Sequence, residues 1–199
     1  MLDVLRLPQR NFDRPLRASV SEYVQHKSGP LIGDCVEVKV ESGVLIEKSN
    51  ILLMPENTVV PIKGILKEDG ETEIPYALAG TICTVGLKLP QDFDINYLVK
   101  GNVICDIEYP IKLVKRFVCR VVIYDLPPSI GALAQGETVV VHSYTNKCPA
   151  KLNKFLSTVN HMTGETIRNR PKFVKKGMFV DIEIKLENRL CLELYSNYR

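Results

Sequence analysis

The most reactive side chains of this 199-residue chain are six cysteines (35, 83, 105, 119, 148 and 191) and three histidines (26, 142 and 161). A thiol attacks as a nucleophile when a neighbouring base or cation lowers its pKa. A metal site needs three or four such ligands brought together. His142 and Cys148 share one neighbourhood, and Cys119 could join them. No C-x-x-C pair occurs, and the spacing fits neither a zinc site nor a disulfide frame. Cysteine is among the most frequently buried residues, so these six read as reduced core residues. A phosphate-binding loop needs glycines followed by Lys-Ser/Thr at a helix start, and the chain has none. The residues therefore assign no catalytic, cofactor-binding or metal-binding role.

The other chemical signal is charge. Arg168, Arg170, Lys172, Lys175 and Lys176 cluster around Pro171 and Phe173. Basic residues with an interleaved aromatic can hold a phosphate backbone or an acidic protein surface. The plainer reading is a solvated loop between two strands. Tyr195 and Tyr198 are further contact aromatics, and Tyr195 has the parity opposite to the neighbouring leucines, which points it outward.

The elements that would position these groups are strands. Val36, Val38 and Val40 alternate with Glu37, Lys39 and Glu41. Leu113, Phe117, Cys119, Val121 and Ile123 share one parity, with Arg116 and Arg120 on the other. Met178, Val180, Ile182, Ile184 and Leu186 alternate with Asp181, Glu183 and Lys185, and Leu190, Leu192 and Leu194 follow the same rule. A period of two places one set inward and the other outward. Glycines and prolines punctuate these runs at the spacing of an all-β sandwich or barrel. Pro61 and Gly64 mark the Val59–Lys67 run as an edge or bulged strand. The best helical candidate is a short turn over Asp94–Gly101, capped by Asp94, ended by Gly101, with Ile95 and Leu98 on one face.

The formal net charge of +3 divides unevenly: residues 1–108 carry 11 basic and 16 acidic side chains, and residues 109–199 carry 15 basic and 7 acidic. The change of sign near Tyr109 predicts two domains, 1–108 and 109–199. A hydrophobic share of 45% excludes a largely disordered chain. No uncharged apolar run is long enough to span a bilayer, so no membrane partner is expected. The charged N-terminus does not read as a secretory signal, and with the reduced cysteines it predicts a cytoplasmic location.

Several stretches, in order, resemble the eukaryotic translational GTPases of the elongation factor one-alpha superfamily. Phe12-Asp13-Arg14-Pro15-Leu16-Arg17 is similar to the entry into the family's second domain. Lys39-Val40-Glu41-Ser42-Gly43-Val44-Leu45 is similar to a turn motif of that domain. Leu53-Met54-Pro55, Ile62-Lys63-Gly64-Ile65, Ala79-Gly80 and Val99-Lys100-Gly101-Asn102-Val103-Ile104-Cys105-Asp106 follow. Thr163-Gly164-Glu165, Arg170-Pro171-Lys172-Phe173-Val174-Lys175 and Leu192-Glu193-Leu194-Tyr195 complete the series. Lys39, Leu53-Met54-Pro55 and Arg170-Pro171 look nearest the release-factor GTPase (eukaryotic release factor three). Leu192-Glu193-Leu194-Tyr195 looks as near the rescue GTPase that works with Pelota.

The resemblance implies two consecutive antiparallel β-barrels, domains II and III of the family, the second lacking its last strands. It also implies that the GTPase domain, with its GTP and Mg, belongs to a longer parent, and that this chain neither binds nor hydrolyses GTP. The implied function is translation termination, with the codon-reading release factor and the ribosome, including its RNA, as partners. Its alternatives are ribosome rescue with Pelota, an elongation factor one-alpha-like tRNA carrier, and a stand-alone nucleic-acid-binding barrel. Lys39, Glu41, Ser42 and Gly43 are the implied ribosome contacts. Arg168, Arg170, Lys172, Phe173, Lys175 and Tyr195 are the implied partner contacts.

Overall fold

The computed structural model describes residues 10, 12–27, 29–127 and 130–197. The extreme N-terminus and Tyr198 lie outside the described residues. Among those described, every regular element is a strand or a short 3₁₀ turn. No helix of the described residues is long and apolar enough to cross a membrane. The chain forms two compact units: 1–112 with 144–146 and 193–199, and 113–143 with 147–192. The division after Lys112 falls a few residues beyond the change in charge sign. Ile111 is buried, and its backbone hydrogen-bonds the Cys105 sulfur, which ties this stretch to the first unit.

The first unit contains β1 (Arg17–His26), β2 (Gly33–Ser42), β3 (Val44–Ile46), β4 (Asn50–Met54), β5 (Thr58–Lys67), β6 (Glu73–Ile74), β7 (Tyr76–Leu78), β8 (Ile82–Leu87) and β9 (Val103–Cys105). Its main sheet runs β4-β9-β1-β2-β8-β5-β6, and β4 also pairs with β5. That last pairing closes a barrel of six antiparallel strands, which removes free edges. Val36, Val38 and Val40 point inward and meet Val20, Leu53, Ile65, Val85 and Ile104 in one buried cluster. β5 lies between β4 and β8, so it is an interior strand and not an edge. Its bulge sits between Ile62 and Gly64, where a Cβ would come 2.8 Å from Leu31 Cδ2. The predicted helical turn is a single 3₁₀ turn at Ile95–Tyr97. Asp94 caps it by accepting from Asn96 N at 2.9 Å. Only Leu98 joins the core, and Ile95 stays exposed.

Two later segments of the chain also belong to this unit. The Thr145 hydroxyl donates to Val20 O at 2.6 Å. Arg17 donates from Nε and Nη2 to the two carboxylate oxygens of Glu193, at 2.9 and 2.7 Å. Both side chains are largely buried, with 4% and 14% exposure.

The second unit contains β10 (Leu113–Val122), β11 (Leu133–Ala134), β12 (Thr138–Ser143), β13 (Asn146–Val159), β14 (Thr166–Asn169), β15 (Phe173–Val174) and β16 (Phe179–Cys191). Its sheet runs β10-β16-β13-β12, with β14 paired to β13, while β11 and β15 form a separate pair. Among the described residues the pairing does not return from β12 to β10. Cys148, Ala150, Leu152, Phe155, Val180, Ile182, Ile184 and Leu186 form the core. The parity of β13 switches between Leu152 and Phe155, where a bulge adds Asn153 opposite β16, and a second bulge follows between Phe155 and Ser157. Phe117, Cys119 and Val121 pack on this core from β10. The expected inward rows stop short at both ends of β16. Met178 precedes the strand and is 37% exposed, and Leu194 follows it and is 67% exposed.

Candidate functional site

In the first unit, Lys39, Glu41 and Ser42 end β2, and Gly43 turns the chain into β3. Lys39 and Glu41 are two apart, so the strand puts them on one face. Lys39 Nζ meets Glu41 Oε2 at 3.0 Å, and the Ser19 hydroxyl donates to Glu41 Oε1 at 3.4 Å. This pair presents charge to solvent. Ser42 is buried, and its hydroxyl donates to Pro15 O at 2.9 Å. Gly43 has φ +72°, and a Cβ there would lie 2.6 Å from Arg14 O and 2.8 Å from Leu16. Ser42 and Gly43 thus shape the turn against the Pro15–Leu16 segment, while Lys39 and Glu41 face outward.

Sequence reasoning missed the surface beside them. Lys39 pairs in register with Ile82 on β8. Ile82, Tyr76 and Leu78 are exposed and line a depression of about 670 Å³ together with Gly80 and Lys67. Tyr76 and Leu78 flank the inward Ala77 on β7. Large apolar residues at the outward parity of a short strand were the available signal.

In the second unit, Arg168 lies on β14, opposite Thr158 of β13, and the whole of β14 is exposed. Arg170 adopts φ +46° and donates its N–H to Leu156 O at 2.8 Å. Pro171 and Val174 turn inward and anchor the loop, leaving Lys172 and Phe173 outside. Lys175 Nζ sits 5.8 Å from the centre of the Phe173 ring, within cation–π range. Lys176 pairs with Asp125 at 2.7 Å and holds that carboxyl below its ordinary range. Arg168, Arg170, Lys172, Phe173 and Lys175 therefore share one exposed segment. Tyr195 does not join them: it is 76% exposed in a 3₁₀ turn, Tyr195–Asn197, that belongs to the first unit. β16 ends at Cys191, so the strand parity that oriented Tyr195 no longer applies there.

None of the six cysteines is in a disulfide, and five of them are buried. Burial pushes the Cys83 thiol up to about 12 and raises Cys35, Cys105 and Cys119 as well. His142 is exposed on β12, whereas Cys148 is buried on β13 with its sulfur 3.5 Å from Asn188 O. Among the described residues no three His, Cys, Asp or Glu side chains come together as metal ligands. With no phosphate-binding loop in the sequence either, these residues do not fit a guanine nucleotide and its magnesium.

Residues 116–199 match the GTP-eEF1A C-terminal domain-like family. The chain is 27% identical to Protein HBS1 of Drosophila melanogaster, over all of this chain and 28% of that protein. It is 31% identical to the eukaryotic peptide chain release factor GTP-binding subunit of Zygosaccharomyces rouxii, over 84% of this chain and 24% of that protein. It is 28% identical to elongation factor 1-alpha of Metallosphaera sedula, over 99% of this chain and 43% of that protein. The fold matches the crystal structure of sup35 complexed with GMPPNP, with a TM-score of 0.81 at 24% identity, over 99% of this chain and 45% of that one. The chain thus spans between about a quarter and a half of the length of these relatives.

Proposed function

The chain belongs to the elongation factor 1-alpha superfamily of translational GTPases, and from that premise we propose that it is the barrel region of a translation-termination GTPase. In this reading the second unit binds the codon-reading release factor and the first touches the ribosome, in the cytoplasm. The observation that carries the termination branch is the 31% identity to a release-factor GTP-binding subunit over most of this chain. The longer parent hydrolyses GTP with Mg through a domain that these 199 residues do not contain.

Lys39 and Glu41 supply the outward charge of the ribosome-facing turn, and Ser42 and Gly43 hold its backbone. Arg168, Arg170, Lys172, Phe173 and Lys175 supply the partner-facing segment. An exposed cationic loop steers an acidic partner and sets its register, and reversing its charge sets like charges against that partner and weakens binding. A second reading, ribosome rescue with Pelota, draws on the match to Protein HBS1 along the whole chain. Recovery of the tagged full-length parent from lysate, with its partners identified by mass spectrometry, separates the branches. Co-recovery of the codon-reading release factor is the expected result. Recovery of Pelota or of charged tRNA in its place would transfer the assignment to that branch. RNA alone, lost steeply with salt, would make the chain a generic phosphate binder.

A further inference from the structure

The second unit carries an apolar surface that neither its core nor its basic loop uses. Val159, His161, Met162, Ile167, Met178 and Phe179 line an open depression of about 480 Å³. Met162 is 82% exposed and Ile167 70%. Contiguous exposed apolar surface with a polar rim marks an interaction site. The patch is also built and held. Asn160 Oδ1 accepts from Met162 N at 2.9 Å, and Asn160 N donates to Glu165 O at 2.8 Å, which closes the loop that lifts Met162. His161 stacks on Phe179 with ring centres 5.3 Å apart, and Lys175 N contacts the Met178 sulfur at 3.4 Å. Methionine side chains are flexible and polarisable, which suits a surface that moulds around an inserted side chain.

Charge identifies the occupant. Between Thr158 and Phe179 the sequence holds five basic residues and one acidic residue, Glu165. Among the described residues, none of Arg168, Arg170, Lys172 and Lys175 has a carboxylate within ion-pair distance. The apolar cleft is thus continuous with a segment of uncompensated positive charge: Arg168 follows Ile167 on β14, and the Lys175 N–H meets the Met178 sulfur. We propose that it is a docking site for an acidic protein segment that inserts one aromatic or long aliphatic side chain among Met162, Ile167, Met178 and Phe179. This rests on the reading of the second unit as a protein-binding barrel and locates the anchor beside the basic loop instead of on it. A nucleic acid is the poorer fit, because the two rings in the lining, His161 and Phe179, are already stacked on each other, and Met162, Ile167 and Met178 have no flat face for base stacking.

The test is to pan a random displayed 12-residue peptide library against the intact 199-residue chain and titrate the selected peptides by NMR. The chain has four methionines, two of them in the patch, so methyl-labelled methionine reports directly. Selected peptides should carry one aromatic or long aliphatic residue flanked by Asp and Glu. They should shift the Met162 and Met178 methyls, leave the buried Met54 methyl in place, and bind Ile167→Asp at least tenfold more weakly. Methyl signals of Ile182 and Ile184 in the second unit's core, labelled alongside methionine, show that the variant remains folded. Selection of no peptide, selection of peptides without that pattern, shifts confined elsewhere, or displacement by a single-stranded RNA oligomer would each overturn the proposal. Capture of the codon-reading release factor undiminished by Ile167→Asp would also overturn it, while leaving the termination reading intact.

Discussion

Cys83 points into the first unit's core from β8, and loss of water there pushes its thiol up to about 12. Cys35, Cys105 and Cys119 are raised for the same primary reason. At pH 8 a thiol reagent should label these four slowly in the folded chain and all six cysteines only after denaturation. A thiol reacting in the folded state at the denatured rate would contradict the assignment of the cysteines to the core. Tyr23 makes a different, pH-dependent contribution. Its hydroxyl donates to Asp34 Oδ1 at 2.8 Å, and burial together with that carboxylate pushes the phenol from 10.0 up to about 12. The folded state holds this proton more tightly than the unfolded chain, so its contribution is complete below pH 10 and fades as pH rises towards 12. Denaturation with urea across that range should show the stability difference between wild type and Tyr23→Phe narrowing with pH. A widening difference would refute the linkage.

At the scale of elements, the alternation of β2, β10 and β16 was legible because a period of two is imposed by the strand itself. The failures fall where that period ends. Met178 and Leu194 continue the apolar parity in sequence but lie outside β16, so no neighbouring strand covers them. The bulges in β5 and β13 each reset parity, and only Pro61 and Gly64 signalled the first of them. The basic segment of the candidate site was legible as composition. The apolar patch beside it was not, because Met162 and Ile167 come together through a turn and a hairpin. Gly43 shows why one residue type is required at its turn. With φ +72° and Arg14 O in the way of a Cβ, Gly43→Ala should destabilise the first unit by more than about 1 kcal/mol. An unchanged melting temperature would show that the turn relaxes freely.

For the molecule as a whole, sequence order and compact unit do not coincide. Residues 193–199 follow the last strand of the second unit and belong to the first. The bidentate Arg17–Glu193 pair ties that return to β1, with both groups largely withdrawn from water. Glu193→Ala leaves a buried guanidinium without this carboxylate and should cost about 3–5 kcal/mol, whereas a further Arg17→Met change should recover much of the loss. If Glu193→Ala alone melts like wild type, the tail is not part of the first unit's stability.

The proposed role as a partner-binding barrel region rests on the same whole-molecule organisation. Its most direct test is equilibrium binding of the intact chain to purified codon-reading release factor, Pelota and aminoacyl-tRNA, with wild type beside the Arg170→Glu, Lys172→Glu double variant. The account predicts tightest binding to the release factor, weakened at least fivefold by the double variant. Equal or tighter binding to either other partner, or release-factor binding indifferent to the charge reversal, would contradict it.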